Sequence, residues 1–207
     1  MTAVARMAML DLRTVAPYRY QGLLVFALGA VLFSNRPTVY VVALVLFFTS
    51  QFAAYPFSVA DKAGLETLYA VLPLSRRSVL YGHYVWAVVL FLATASVGTT
   101  LALLLARAQD VPFDGRTLAT VLTVSWAAFA VNVAIQFPLV VRFGYTRVSV
   151  LGTALPLAVI AGTIYKLHLT IPSIQSWLPL FWVAGVTAIV ASTAVAMTAD
   201  RRRVRHG

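Results

Sequence analysis

The sequence predicts an all-α, polytopic membrane protein. It reads as six transmembrane helices, an amphipathic N-terminal helix and a short helix in an inner loop. Three observations predict this fold. Of 207 residues, 61% are hydrophobic and 11% charged, with a mean hydropathy of +0.87; soluble domains run at about 45–50% apolar and about 25% charged. The apolar residues gather in six runs of 15 to 25 residues, none of which contains Asp, Glu, Lys or Arg. The runs do not alternate apolar with polar residues, so helices rather than barrel strands must satisfy the backbone inside lipid.

A spanning helix needs about 20 residues to cover about 30 Å of hydrocarbon. The expected spans are 20–34, 38–60, 84–106, 117–141, 148–165 and 178–198. The first could begin at Pro17, because proline suits a first helical turn. Ahead of it, residues 1–19 read as an amphipathic helix on the inner surface. Val4, Met7, Ala8 and Leu12 form its apolar face, with Arg6 and Arg13 elsewhere. A cleaved signal peptide is disfavoured, since the basic region would be long and Val31, Leu32 and Phe33 follow directly on the small residues near position 27. The chain reads as one membrane domain over 1–207, with no fixed-period repeat.

Orientation follows from the basic residues. With both termini inside, 12 of the 16 Lys and Arg fall on the inner side, as the positive-inside rule requires. The net charge of +10 is then a consequence of topology, and a soluble enzyme, a disordered region and a nucleic-acid-binding domain are all excluded. The basic tail 201–205 anchors the inner end of the last span.

Much chemistry is missing. The chain has no cysteine, which excludes disulfides, thiolate zinc sites and cysteine nucleophiles. Its two lysines, Lys62 and Lys166, lie outside any P-loop frame. His83 and His168 fall on opposite sides, so they cannot share a metal, and each reads as a structural interfacial residue. Asp110 and Asp114 have helical spacing, but Pro112 and Gly115 argue for a solvated outer turn. The spans lack the ionisable residue that ion-coupled carriers usually place at membrane depth. Their polar residues are hydroxyls and the amides Gln51, Asn132 and Gln136, which either join helices or line a translocation path. Ala184, Ala188, Ser192 and Ala196 recur every four residues along the last span, a spacing that suits close packing within the chain or between copies.

The inner loop 61–83 is the most informative segment. Leu65, Leu68, Tyr69 and Leu72 fall on one helical stripe, and Pro73 ends that helix. Ser75 then caps a second helix leading into the third span. Arg76 and Arg77 fall in its first turn, where cations oppose the helix dipole at a cost of about 0.3–1 kcal/mol each. An anion from a lipid or a partner protein would offset that cost; a plain positive-inside flank is the alternative.

Leu65-Glu66-Thr67-Leu68, followed by Leu72-Pro73-Leu74-Ser75-Arg76-Arg77, resembles the first cytoplasmic loop of ABC-2 type permeases. These are membrane subunits of ATP-binding-cassette exporters, and the likeness is to the small six-span branch. Phe137-Pro138-Leu139 with Arg142-Phe143-Gly144-Tyr145 resembles the end of the fourth span in that branch. The resemblance implies a multi-pass protein of the bacterial cytoplasmic membrane with no catalytic site of its own. Cargo, an amphipathic or hydrophobic peptide, antibiotic or lipid, would move outward. ATP and Mg would be bound by a separate ATPase subunit, and a second copy or a paralogue would complete the permease. It further implies that 65–72 is a coupling helix seated on that ATPase. Glu66 would be its polar contact, and Leu68 and Leu72 its anchors on the stripe shared with Leu65 and Tyr69. Pro73 and Ser75 would set the angle into the third span, and Arg76 and Arg77 would hold the loop at the membrane. The reading it competes with is a secondary transporter or channel working without an ATPase.

Overall fold

The computed structural model describes residues 3–15, 52–64, 75–110, 114–166 and 175–206, with positions 20, 24, 27, 28, 31 and 49. The described residues form helices and turns, with no strand among them. The helices are α1 (Ala3–Val15), α2 (Tyr55–Lys62), α3 (Arg76–Ala108), α4 (Gly115–Phe143), α5 (Tyr145–Lys166) and α6 (Leu178–His206). Among the described residues, three helices are long and apolar enough to cross a membrane: Arg77–Ala108, Gly115–Phe143 and Leu178–Thr198. At 22 residues, α5 covers the fifth expected span. Most of the first two expected spans lies outside the described residues; Tyr20, Leu24, Leu28 and Val31 are helical and exposed.

Helix α4 is the central helix. Half of its apolar stretch is buried, against 28% for α3 and 17% for α6. It begins at Asp114, whose carboxylate accepts from the Thr117 N–H at 3.2 Å, and ends at Gly144, whose N–H donates to the Val140 carbonyl at 2.8 Å. Gly144 has a φ of +83°, a left-handed conformation that side chains resist. Asp110 also takes a positive φ, in the turn after α3. Asp110 therefore lies in a turn, as Pro112 and Gly115 suggested, while Asp114 serves as a helix cap that the sequence reading did not assign.

The hydroxyls of α4 are satisfied within the helix. Thr120, Thr123 and Ser125 donate to the carbonyls of Arg116, Ala119 and Val121 at 2.8–2.9 Å, which lets them sit buried in an apolar bundle. Helix α6 packs on α4 through Gly185, where an added Cβ would lie 2.4 Å from Trp126 Nε1. Trp126 and Trp182 stack with centroids 5.0 Å apart. Trp126 Nε1 donates to the Trp182 carbonyl, and Trp182 Nε1 donates to Thr123 Oγ1.

Four expectations change. The third span continues unbroken from the Ser75 cap, so its helix and the expected lead-in helix are one 33-residue element; no residue between 76 and 84 interrupts the backbone ladder. The second expected span bends at Ala54, ahead of Pro56 in the first turn of α2. Proline lacks the N–H that would reach the Phe52 carbonyl, and Trp86 Nε1 donates to that carbonyl instead, at 3.4 Å. The apolar face assigned to the N-terminal helix is also displaced. Met7 and Asp11 are buried while Leu12 is 48% exposed, because α1 lies against α3. At Gly82 an added Cβ would lie 2.6 Å from Met7 Cβ.

The stripe on α6 is likewise turned. Gly185, Ser192 and Ala196 are buried, but Ala184 is exposed. A helix of 3.6 residues per turn rotates a strict every-fourth pattern off its face.

Candidate functional site

One end of the bundle gathers the described residues on either side of 65–74. Ser75 is the N-cap of α3. Its Oγ accepts from the Ser78 N–H at 3.1 Å, as the sequence indicated. Arg76 opens the helix and Arg77 is exposed in its first turn. Leu65, Glu66, Leu68, Tyr69, Leu72 and Pro73 lie outside the described residues, as does Gln51.

The chain entering that loop is fixed by Asp61, near the end of α2. Its Oδ2 accepts from the Thr146 backbone N–H at 2.9 Å and from Thr146 Oγ1. Thr146 stands in the first turn of α5. The first N–H groups of a helix have no partner within it, and the dipole favours a negative charge there. Asp61 thus caps a helix that begins 85 residues away along the chain, counted to Thr146.

The chain leaving the loop is fixed at His83 on α3. Its Nδ1 donates to Asp11 Oδ2 at 2.7 Å, and both side chains are almost wholly buried. The pair bonds α1 to α3 above the Met7–Gly82 contact.

Behind His83 runs a series of aromatic contacts. The Phe57 ring lies 4.4 Å from His83 and 5.0 Å, edge-on, from Phe137. Phe137 in turn meets Tyr84 at 4.9 Å. Tyr84 Oη and Ser192 Oγ share a hydrogen bond of 2.7 Å. Edge-to-face pairs of this kind add about 0.5–1.5 kcal/mol beyond the burial of their area. The cluster joins α1, α2, α3, α4 and α6 through one side chain or two from each, and Asp61 adds α5.

Asn132 and Gln136 are buried one turn apart on α4. Asn132 Nδ2 donates to Gln136 Oε1 at 3.3 Å, and Gln136 abuts Gly152 of α5. The two amides share this one hydrogen bond, and among the described residues no buried side-chain nitrogen or oxygen lacks a partner.

Sequence reasoning did not single out Asp11 or Asp61; it read His83 as structural, and its buried bond to Asp11 agrees with that. One signal was available: Asp11 follows Met7 by four residues, so it shares the Met7 face. The Phe-Pro and Phe-Gly residues at the end of α4 acquire physical roles, Phe137 as a fully buried ring and Gly144 as the positive-φ cap.

Comparison with known proteins places a family match on the chain. The family model described as ABC-2 family transporter protein covers residues 10–199. No curated protein and no solved structure matches the chain.

Proposed function

The chain belongs to the ABC-2 transporter family, and from that premise we propose that it is the permease subunit of an exporter driven by a separate ATPase. The observation that carries the reading is the family match over nearly the whole chain, 10–199, on a polypeptide with no P-loop. Transport energy would then enter from a separate ATPase subunit. Residues 65–72 are the proposed docking element. Leu68 and Leu72 would be its apolar anchors and Glu66 its polar contact, a helix laid into a groove. Two permease copies, or this chain and a paralogue, would form the path. Both termini would be cytoplasmic, in a bacterial inner membrane, and an amphipathic or hydrophobic cargo would suit apolar spans whose polar groups are few.

Several features support placing the docking element at this end. Ser75 caps α3 immediately after the loop, and α3 then runs 33 residues without a break. A rigid helix of that length transmits a displacement at its base across the whole bilayer, at 1.5 Å of rise per residue.

The test is Leu68→Asp in the full chain, co-expressed with the ATPase that co-purifies with the wild type. Insertion into the membrane is expected to persist while ATPase co-purification is lost. Undiminished ATPase binding would remove the docking role. Transport by the purified chain in proteoliposomes, driven by an ion gradient alone, would favour a secondary transporter instead.

A further inference from the structure

The aspartates Asp11 and Asp61 lie outside the proposed docking element 65–72, and each makes its described bond to a residue distant in sequence. Asp61 binds Thr146, 85 residues away, and Asp11 binds His83, 72 residues away. In sequence, Asp61 and His83 stand on either side of residues 65–74. The chain has only six acidic residues. Two of them are spent at this one end, where basic residues predominate.

The geometry of the two bonds differs, and so does what each can carry. The Asp61 bond is two-pronged, taking both the amide and the hydroxyl of Thr146. It therefore fixes the direction of the first turn of α5 as well as its distance. That turn follows Gly144, whose φ of +83° makes the junction between α4 and α5 a sharp corner. The Asp11 bond is buried beside Gly82, where α1 and α3 approach too closely for a side chain. A hydrogen bond in a low-dielectric setting resists separation more than an exposed one does.

We propose that Asp11 and Asp61 are positioning residues for ATP-driven transport, tying α1 and α5 to the two ends of the loop so that load on the loop reaches both helices. The proposal rests on the ATPase-driven reading given above. When the ATPase moves the loop, α2 and α3 are displaced directly. Asp61 carries the α2 displacement into α5, and Asp11 follows His83, so α1 travels with α3. The Phe57, Phe137 and Tyr84 rings keep α4 and α6 in register meanwhile.

The experiment uses the full chain with its co-purifying ATPase, in nanodiscs, with and without ATP and vanadate. Amide hydrogen exchange is read in α1, in the first turn of α5 and in 65–74. In the wild type, nucleotide is expected to change exchange in all three. In Asp61→Ala the response of α5 should fall by about tenfold, while ATPase binding and the responses of 65–74 and α1 persist. Asp61→Asn, which keeps an oxygen to accept from Thr146, should restore part of the α5 response. The double variant Asp11→Ala/His83→Phe removes both partners, leaves no orphaned polar group, and should silence α1 alone.

A wild-type response confined to 65–74, or variants that respond as the wild type does, would overturn the tie while leaving the ATPase reading intact. A wild-type chain that retains no ATPase would overturn that reading, and the tie with it.

Discussion

His83 on α3 and Asp11 on α1 meet at 2.7 Å, with side chains only 4% and 3% exposed. Two polar groups are thereby hidden in a region that composition alone would reserve for apolar packing. Each is acceptable there because the other is present. His83→Ala leaves the Asp11 side chain buried without its partner, and orphaning a buried polar group costs about 1–3 kcal/mol. Detachment of α1 should precede melting of the bundle. Trypsin would report it, cutting at Arg6 and Arg13 faster in the variant than in the wild type. The double variant Asp11→Ala/His83→Phe should lose less than His83→Ala, and equal losses would contradict the pairing.

Gly82 supplies an independent probe of the same docking. An added Cβ would lie 2.6 Å from both Cβ and Cγ of Met7, well inside contact distance. Gly82→Ala should therefore push α1 away, with an overpacking cost of about 1–3 kcal/mol. Adding Met7→Ala removes the Cγ clash and should recover part of that loss. The readout is the thermal midpoint in detergent, with tryptic cleavage at Arg6 as a local check.

At the other end of the bundle the equivalent contact is Gly185 against Trp126. A methyl group on Gly185 would stand 2.4 Å from the indole nitrogen, which donates to the Trp182 carbonyl. Gly185→Ala should break that hydrogen bond and unstack the two indoles, at about 1–3 kcal/mol. A shift in tryptophan fluorescence should accompany the loss. An unchanged spectrum would show that α6 can slide past Trp126 without disturbing it.

The Asp114 cap gives a pH dependence with a defined sign. Hydrogen bonds from the backbone N–H groups of Arg116 and Thr117 hold its carboxyl below the ordinary value of 3.8. A depressed carboxylate contributes stability above its unfolded pKa and loses it as pH falls through the folded one. The first turn of α4 should therefore begin to fray only below about pH 4. Amide exchange at Thr117 would show this, and Asp114→Asn should flatten the dependence. Because the cap is exposed, the effect should stay local to that turn.

The elements differed in how much of them could be read from sequence. The expected spans from 84 onward fall within α3 to α6, because partition of an apolar run into lipid depends only on the run itself. Ser75 was legible as a cap, since an N-cap bonds an N–H three residues on. Helix α1 was legible as helix but not as to face. Periodicity identified a side chain pattern, and it ranked Leu12 above Asp11 because leucine is the more apolar. The fold buried the aspartate because His83 was waiting for it. Every-fourth spacing on α6 likewise identified close packing, but helical rotation carried Ala184 out of the contact and brought Gly185 in.

The sequence by itself determined the class of the protein, the positions of its later helices, the cap of α3 and the loop that resembles an exporter's. All of these rest on forces acting between near neighbours in the chain or between a segment and its solvent. Only the tertiary structure decided that Asp61 caps α5, that His83 holds Asp11 and that Phe57, Phe137 and Tyr84 form one cluster. Those partners stand up to 85 residues apart, and an electrostatic or aromatic contact is fixed by distance in space, which no spacing along the chain encodes.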